Sequence, residues 1–146
     1  MSTHTFQIVR HGSQEYRETV ALRDSVLRRP LGLHFTPEQL AAETGDIHLA
    51  CYDGNALVAC LILTPVDART VKMRQVAVAQ ERQAQGVGRA LVERSEHVAR
   101  ERGFAEVVLN ARLNVVPFYE RLGYECVGGV FEEVTIPHRA MRKTLA

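Results

Sequence analysis

The stretch that most constrains this chain is Val76-Ala77-Val78-Ala79-Gln80-Glu81-Arg82-Gln83-Ala84-Gln85-Gly86-Val87-Gly88-Arg89. An apolar strand ends, a polar turn follows, and two glycines open a long amphipathic helix. Gly86 and Gly88 carry no Cβ, so main-chain amides there can approach an anion closely. The first N–H groups of a helix lack intrahelical partners, and the helix dipole adds to their preference for negative charge. Arg82 and Arg89 flank the turn and can add charge-assisted bonds to phosphate. A bare Gly-x-Gly also suits a loop that only needs flexible residues before a helix. It is not a nucleotide P-loop, because no Gly-Lys-Ser/Thr follows. It is not a dinucleotide fingerprint either, because the third glycine and the downstream acid are missing.

Around this turn the periodicity sets an order of elements. Thr5–Arg10 reads as a strand, and Ser13 caps a helix running to about Arg28. On that helix Tyr16, Thr19, Val20, Leu22, Val26 and Leu27 form one arc, with Arg23 in its middle; such an arginine needs a partner or a ligand. Leu31–Leu33 is a loop. Thr36-Pro37-Glu38-Gln39 has the cap, proline and capping-box glutamine of a short helix ending near Gly45. His48–Tyr52 and Ala56–Leu63 are strands around the Asp53-Gly54-Asn55 turn, and Thr70–Ala79 is a third. The helix Gly88–Arg102 buries Val87, Leu91, Val92, Ser95, Val98 and Ala99, stops at Gly103, and carries Arg89/Glu93, Glu93/His97 and Glu96/Arg100 on its wet side. A strand Glu106–Asn110, a helix capped by Asn114, and strands near Glu125–Phe131 and Thr135–Lys143 complete a single mixed α/β domain spanning residues 1–146.

Composition narrows the class. A net charge of +1 and the absence of any Lys/Arg block argue against a nucleic-acid partner. No stretch approaches membrane-spanning length and no signal-peptide pattern opens the chain, so a cytoplasmic location without membrane association is expected. Cys51, Cys60 and Cys126 form neither a disulfide framework nor a metal-ligand pattern; Cys51 and Cys60 read as buried thiols, and no metal is expected.

Gln83-x-x-Gly86-x-Gly88, after a Val-Ala-Val strand end and before an amphipathic helix, resembles motif A of the GNAT superfamily of N-acetyltransferases. Asn114-x-x-Pro117-Phe118-Tyr119-Glu120-x-Leu122-Gly123-Tyr124 resembles a later segment of the same family, and Ile136–Lys143 is similar to the final strand of one bacterial subgroup. The resemblance implies a GNAT-like fold, with a splayed, mostly antiparallel sheet and helices on both faces. It implies acetyl-CoA as donor, its pyrophosphate on the amides around Gln85, Gly86, Val87, Gly88 and Arg89. The main chain of Val76 and Val78 then faces the pantetheine, Val76 supplies an oxyanion N–H, Asn114 contacts the pantetheine as well as capping its helix, and Tyr119 protonates the departing thiolate.

A proton acceptor for the amine is harder to find. Many relatives carry a strand glutamate two residues before the equivalent of Val76, where this chain has Arg74, which cannot act as a base. Three alternatives stay open. Another residue deprotonates the amine through water, the amine already has a low pKa, or Arg74 binds an acidic substrate. His138 is the candidate substitute base, turned toward the cleft if Pro137 interrupts the last strand, and His48 is the second. Asn110 ends a strand beside the cleft. At least one of Arg23 and Arg74 is expected to bind a carboxylate or phosphate of the acceptor; the rival is an internal salt bridge with Glu43 or Asp46, which otherwise read as a solvated helix end. The expected reaction is direct acetyl transfer to an amine of a small molecule; the rival classes are a non-catalytic acyl-CoA sensor and a structural module whose last strands pair into a homodimer.

Overall fold

The computed structural model describes residues 4–145. Strand β1 (His4–Val9) leads into α1 (Gln14–Arg23), which continues through a π-helical turn at Asp24–Arg28 and a 3-10 turn at Arg29–Leu31. After α2 (Pro37–Ala41) come β2 (Ile47–Asp53), β3 (Ala56–Pro65) and β4 (Thr70–Val78). Then follow α3 (Val87–Glu101), β5 (Glu106–Arg112), α4 (Val116–Arg121), β6 (Glu125–Glu133) and β7 (Ile136–Thr144). The strands form one sheet in the order β1-β2-β3-β4-β5-β7-β6. Every pairing is antiparallel except β4 with β5.

That parallel pair sets up the site. β4 and β5 are in register only from Thr70↔Glu106 to Lys72↔Val108. Beyond this point they diverge, while β4 stays on β3 through Val78↔Ala59 and β5 stays on β7 through Arg112↔His138. The divergence begins where β4 is bulged: Cys60 pairs Ala77 but Ile62 pairs Arg74, which leaves Gln75 and Val76 opposite Leu61. Gln75 takes the extra residue at φ 56, a conformation disfavoured for a side chain with a Cβ. A sheet built this way is slotted at its centre.

The main core lies on the α3/α4 face. Leu49, Leu61, Leu63, Val71, Met73, Val107 and Leu109 from the strands meet Leu91, Val92 and Ala99 of α3 and Tyr119 of α4. Each buried aliphatic side chain of this kind contributes about 1.5–3 kcal/mol relative to exposure. The buried face of α3 is the one its periodicity predicts, with one correction. Glu96 is buried, accepting from the Tyr124 hydroxyl and from Lys143 Nζ, both at 2.9 Å. A surface pair with Arg100 is a minor part of its environment, at 4.0 Å. Of the other pairs, Arg89 does meet Glu93 at 3.4 Å, whereas His97 faces Glu101 rather than Glu93.

On the opposite face α1 packs through Tyr16 and Val20 against Val9 and Ala50. The Ser13 cap and the Thr36/Gln39 capping box form as expected. The helix from Ser13 does not run as one regular α-helix to Arg28. Arg23, the last residue of α1, goes inward as its place in the arc predicts and is 1% exposed, while Leu22 and, within the π turn, Val26 and Leu27 are half-buried. Pro137 does not interrupt β7; it pairs with Glu132 near the hairpin end of the β6–β7 ladder, whose one irregularity lies on β6 between Val127 and Phe131.

Candidate functional site

The turn before α3 has the geometry its sequence predicts. Gly86 is the N-cap of α3 at φ 83 and Ala84 lies at φ 65, so successive amides turn outward rather than along a strand. Gln83 N–H donates to Gln80 O at 3.3 Å, and the next main-chain donor outside the helix ladder is Ala90, to Gly86 O at 3.1 Å. The amides of residues 84–89 have no main-chain acceptor among the described residues. The cup therefore starts one residue later than the motif. The two glutamines tie it down, Gln83 Nε2 donating to Val78 O at 3.1 Å and Gln85 Nε2 to Glu81 O at 3.2 Å. A Cβ on Gly88 would lie 3.5 Å from Phe118 Cζ and 3.7 Å from Val78 Cγ2, ordinary contact distances. Packing therefore does not require glycine there.

The flanking arginines differ. Arg89 is exposed, beside Glu93. Arg82 is tied to Asp53 at 2.6 Å, which anchors the turn to the β2–β3 hairpin.

Ala79 N–H donates to Val58 O at 2.8 Å on β3. Main-chain groups alternate sides along a strand. The N–H and C=O of Val78 therefore point away from β3, toward the slot, while Val76 lies in the bulge opposite Leu61. Gln75 Oε1, at the bulge, is buried without a hydrogen-bond partner among the described residues. Beside the cup, Leu22, Val26, Pro30, Leu57, Ala79 and Gln83 line a cavity of about 500 Å³. The half-buried arc of α1 thus faces this cavity.

Tyr119 on α4 is buried, in edge contact with Phe118 and Tyr124 at ring-centroid distances of 5.0 and 5.6 Å. Burial pushes its phenol up to about 12, so it stays protonated at neutral pH. Phe118 packs on the main core. Asn114 is not the cap of α4. It lies in a 3-10 turn at Leu113–Val115, exposed, and Val115 occupies the N-cap without a side-chain bond. The proline at 117 already satisfies the start of the helix, so a capping amide is not needed there.

The two arginines separate. Arg23 donates to both carboxylate oxygens of Glu43, at 2.9 and 2.5 Å, and its guanidinium lies 4.5 Å from the centre of the Phe35 ring. Tyr16 donates to the same carboxylate at 2.7 Å. Burial raises the Glu43 carboxyl, but the bonds from Arg23 and Tyr16 outweigh it and hold it below its ordinary value. The internal salt bridge is what Arg23 forms, so its expected role as a substrate ligand is corrected. The reading of Glu43 as a solvated helix end is corrected with it. His48 belongs to the same assembly: it is buried on Tyr16, its Nε2 lies 3.0 Å from Glu43 O, and burial lowers its pKa. It is a structural histidine, packed beneath α1. Arg74 is partly exposed, donating to Thr64 Oγ1 at 3.2 Å with Asp46 Oδ2 at 3.7 Å.

Lys72, Arg74, Val108 and Asn110 lie on one face of the sheet, since Lys72 and Val108 are the last register partners. Arg74 and Asn110 are therefore the first residues of that face on the two lips of the slot. His138 lies on the same face, opposite Arg112, but it is buried. Its Nδ1 donates to Ile136 O at 2.7 Å, and its Nε2 faces Glu133 Oε2 at 3.7 Å. Asn110 Nδ2 donates to Glu133 Oε1 at 3.1 Å. Glu133 was missing from the sequence reading. The signal that finds it is the hairpin register Glu133↔Ile136, which fixes which residues meet His138. Among the described residues no group of three or more His, Cys, Asp or Glu gathers to hold a metal, and no helix is long and apolar enough to cross a membrane.

The family model for an acetyltransferase (GNAT) domain matches residues 33–145. The uncharacterized N-acetyltransferase YjcF of Bacillus subtilis is 24% identical over 137 residues, covering 93% of this chain and 97% of that protein. An acyl-CoA N-acyltransferase from Pseudomonas aeruginosa superposes with a TM-score of 0.80 at 24% identity, covering 96% of this chain and 99% of that one. A GNAT family acetyltransferase from Elizabethkingia anophelis, solved with acetyl-CoA bound, superposes with a TM-score of 0.78 at 16% identity, covering 99% of this chain and 100% of that one.

Proposed function

Because this chain belongs to the GNAT acetyltransferase family, we propose that it moves acetyl from acetyl-CoA directly onto an amino group of a small acceptor bearing an acidic group. The observation that carries the reading is the run of unengaged amides at residues 84–89, at the start of α3 and beside a slot between diverging strands. The residues fit a diphosphate thioester: donors without acceptors, a glycine that packing does not demand, and a buried orphan oxygen at the bulge. When bound, acetyl-CoA supplies an activated acyl group.

The chain's own residues then have defined work. The amides of Gln85, Gly86, Val87, Gly88 and Arg89 hold the diphosphate, with Gln83 bracing the turn from below. The main chain of Val78, turned toward the slot, and of Val76 in the bulge beside it binds the pantetheine amides, and the exposed Asn114 side chain is free to join them. The Val76 N–H donates to a carbonyl oxygen as it gains charge. The protonated Tyr119 phenol gives its proton to the departing sulfur. Arg74, on the β4 lip with part of its guanidinium exposed, receives a carboxylate or phosphate of the acceptor. His138, buried behind the β5 lip, is the final proton acceptor and receives the proton through a neighbouring group rather than from the substrate itself. The free thiols Cys51, Cys60 and Cys126 suit a cytosolic setting.

The test is a thiol-release assay with acetyl-CoA and a panel of amines, half of them carrying a carboxylate or phosphate. Turnover concentrated among the anionic amines, with acceptor KM raised in Arg74→Met, supports the reading. Tight CoA binding without turnover of any amine supports the rival, a non-catalytic acyl-CoA sensor.

A further inference from the structure

The hairpin joining β6 to β7 turns through Val134 at φ 46 and Thr135 at φ 64. Both are β-branched residues in the left-handed region, where Asn-Gly is the unstrained choice. This turn makes Glu133 and Ile136 partners and places Phe131, Glu133 and His138 on one face, with the Phe131 ring stacked 6.0 Å from the imidazole. A carbonyl oxygen only accepts, so Nδ1 of His138 must carry the proton it shares with Ile136 O. In the neutral ring the lone pair is therefore on Nε2, aimed at the Glu133 carboxylate 3.7 Å away. A lone pair facing a carboxylate is a proton-accepting arrangement, because one proton converts a repulsion into an ion pair.

Position decides what such a pair is for. His138 is 4% exposed, whereas the Glu133 side chain is 48% exposed. Only Glu133 can meet a substrate. Its other oxygen is held by Asn110, on the β5 lip of the slot and across from Arg74. The surrounding charges are Arg112, opposite His138 on β5, and Lys72 and Arg74 across the slot on β4. Glu132 and Arg139 flank the pair along β6 and β7, Arg139 being turned onto Gly128 O at 2.6 Å.

We propose that Glu133 is the group that meets the acceptor's ammonium and takes its proton, that His138 stores that proton behind it, and that Asn110 positions the carboxylate. The proposal deepens the reading above and rests on it. One proton passes from R–NH3+ through Glu133 to Nε2 of His138 and returns to water. The amine nitrogen then forms its bond to the acyl carbon as the C–S bond breaks. The second N–H proton ends on sulfur through Tyr119, so the products are an N-substituted amide and a free thiol. Glu133 is the catalytic residue here; His138 and Asn110 act through it.

The test uses the full chain, with CoA affinity by calorimetry and pH profiles of kcat/KM for the best substrate among spermidine, kanamycin, glycine ethyl ester, aspartate and glucosamine 6-phosphate. Glu133→Gln should lower kcat/KM at pH 7 by at least about 100-fold and move the acid limb, while CoA Kd changes less than twofold. Glu133→Asp should recover part of the loss. His138→Asn keeps a donor for Ile136 O but loses Nε2, so a structural role is preserved while the proton store is not. It should unfold near the wild-type temperature and still lose the acid limb. Unchanged profiles in Glu133→Gln and His138→Asn, with CoA binding and turnover intact, overturn the proposal. Absence of CoA binding, or of turnover on every amine by the wild-type chain, overturns the function it rests on.

Discussion

Replacing Arg23 by methionine leaves Glu43 buried with a single remaining donor, the Tyr16 hydroxyl at 2.7 Å. Both carboxylate oxygens lose an Nη partner, and the pair's side chains are 1% and 5% exposed, so solvent does not replace it. Breaking a buried ion pair from one side costs about 3–5 kcal/mol. At about 2–4 °C per kcal/mol for a chain of this size, the melting temperature should fall by about 10 °C. Arg23→Met with Glu43→Met removes both charges and should lose less than the single variant, because no carboxylate is stranded. Urea unfolding of the four proteins gives the coupling energy directly. The pH dependence has a defined sign. The folded-state carboxyl of Glu43 is depressed, so its contribution is present above the ordinary glutamate value of about 4.3 and is lost as pH falls through the lower folded value. If Arg23→Met costs less than about 1 kcal/mol while raising acceptor KM tenfold, the guanidinium serves the acceptor and the structural account is refuted.

Three further outcomes follow from the same geometry. Gly88→Ala should keep or raise the melting temperature, since alanine is favoured over glycine within a helix by about 0.5–1 kcal/mol, yet weaken CoA binding tenfold or more in calorimetry. Gly86→Ala should destabilise by about 1–2 kcal/mol as well, because its φ of 83 is left-handed. Tyr119→Phe should lower kcat about 100-fold with CoA affinity unchanged, read by stopped-flow thiol release and calorimetry. Burial raises all four tyrosines, Tyr52 and Tyr119 to about 12, with neighbouring Glu43, Glu18 and Glu96 adding to the effect on Tyr16, Tyr52 and Tyr124. The stability they lend is complete below pH 10 and lost as pH rises through the folded values. Absorbance at 295 nm should therefore stay flat through pH 10 until unfolding; a native phenolate step with a midpoint near 10 would contradict this.

What was legible in the sequence was local. The capping box at Thr36, the Asp53–Ala56 hairpin, the buried stripe of α3 and the glycine-opened cup each depend on residues a few positions apart. What was not legible depended on distant partners. Glu96 reads as a wet-face residue until Tyr124 and Lys143, 28 and 47 positions away, bring their donors to it. Arg23 was readable as an inward residue, but its choice of Glu43, 20 positions away, over Asp46 or a ligand was not, and the π turn that follows it has no periodic signature. Asn114 looked like a cap because its residue type suits one, but the cap of α4 falls one residue later, on Val115, with Pro117 in the first turn. Glu133 gains its meaning only from the strained hairpin that seats it between Asn110 and His138. The family motifs pointed to the turn proposed to hold the donor; the proposed acceptor side required the register of the last two strands.

Donor binding depends on whether the amides of residues 84–89 grip a diphosphate. Amide proton–nitrogen NMR spectra recorded during titration with CoA, and with pantetheine as the control lacking the diphosphate, test this directly. The largest downfield shifts should fall on Gly86, Val87, Gly88 and Arg89 with CoA and be absent with pantetheine. Shifts of equal size with both ligands, or none in this segment at saturating CoA, would contradict it.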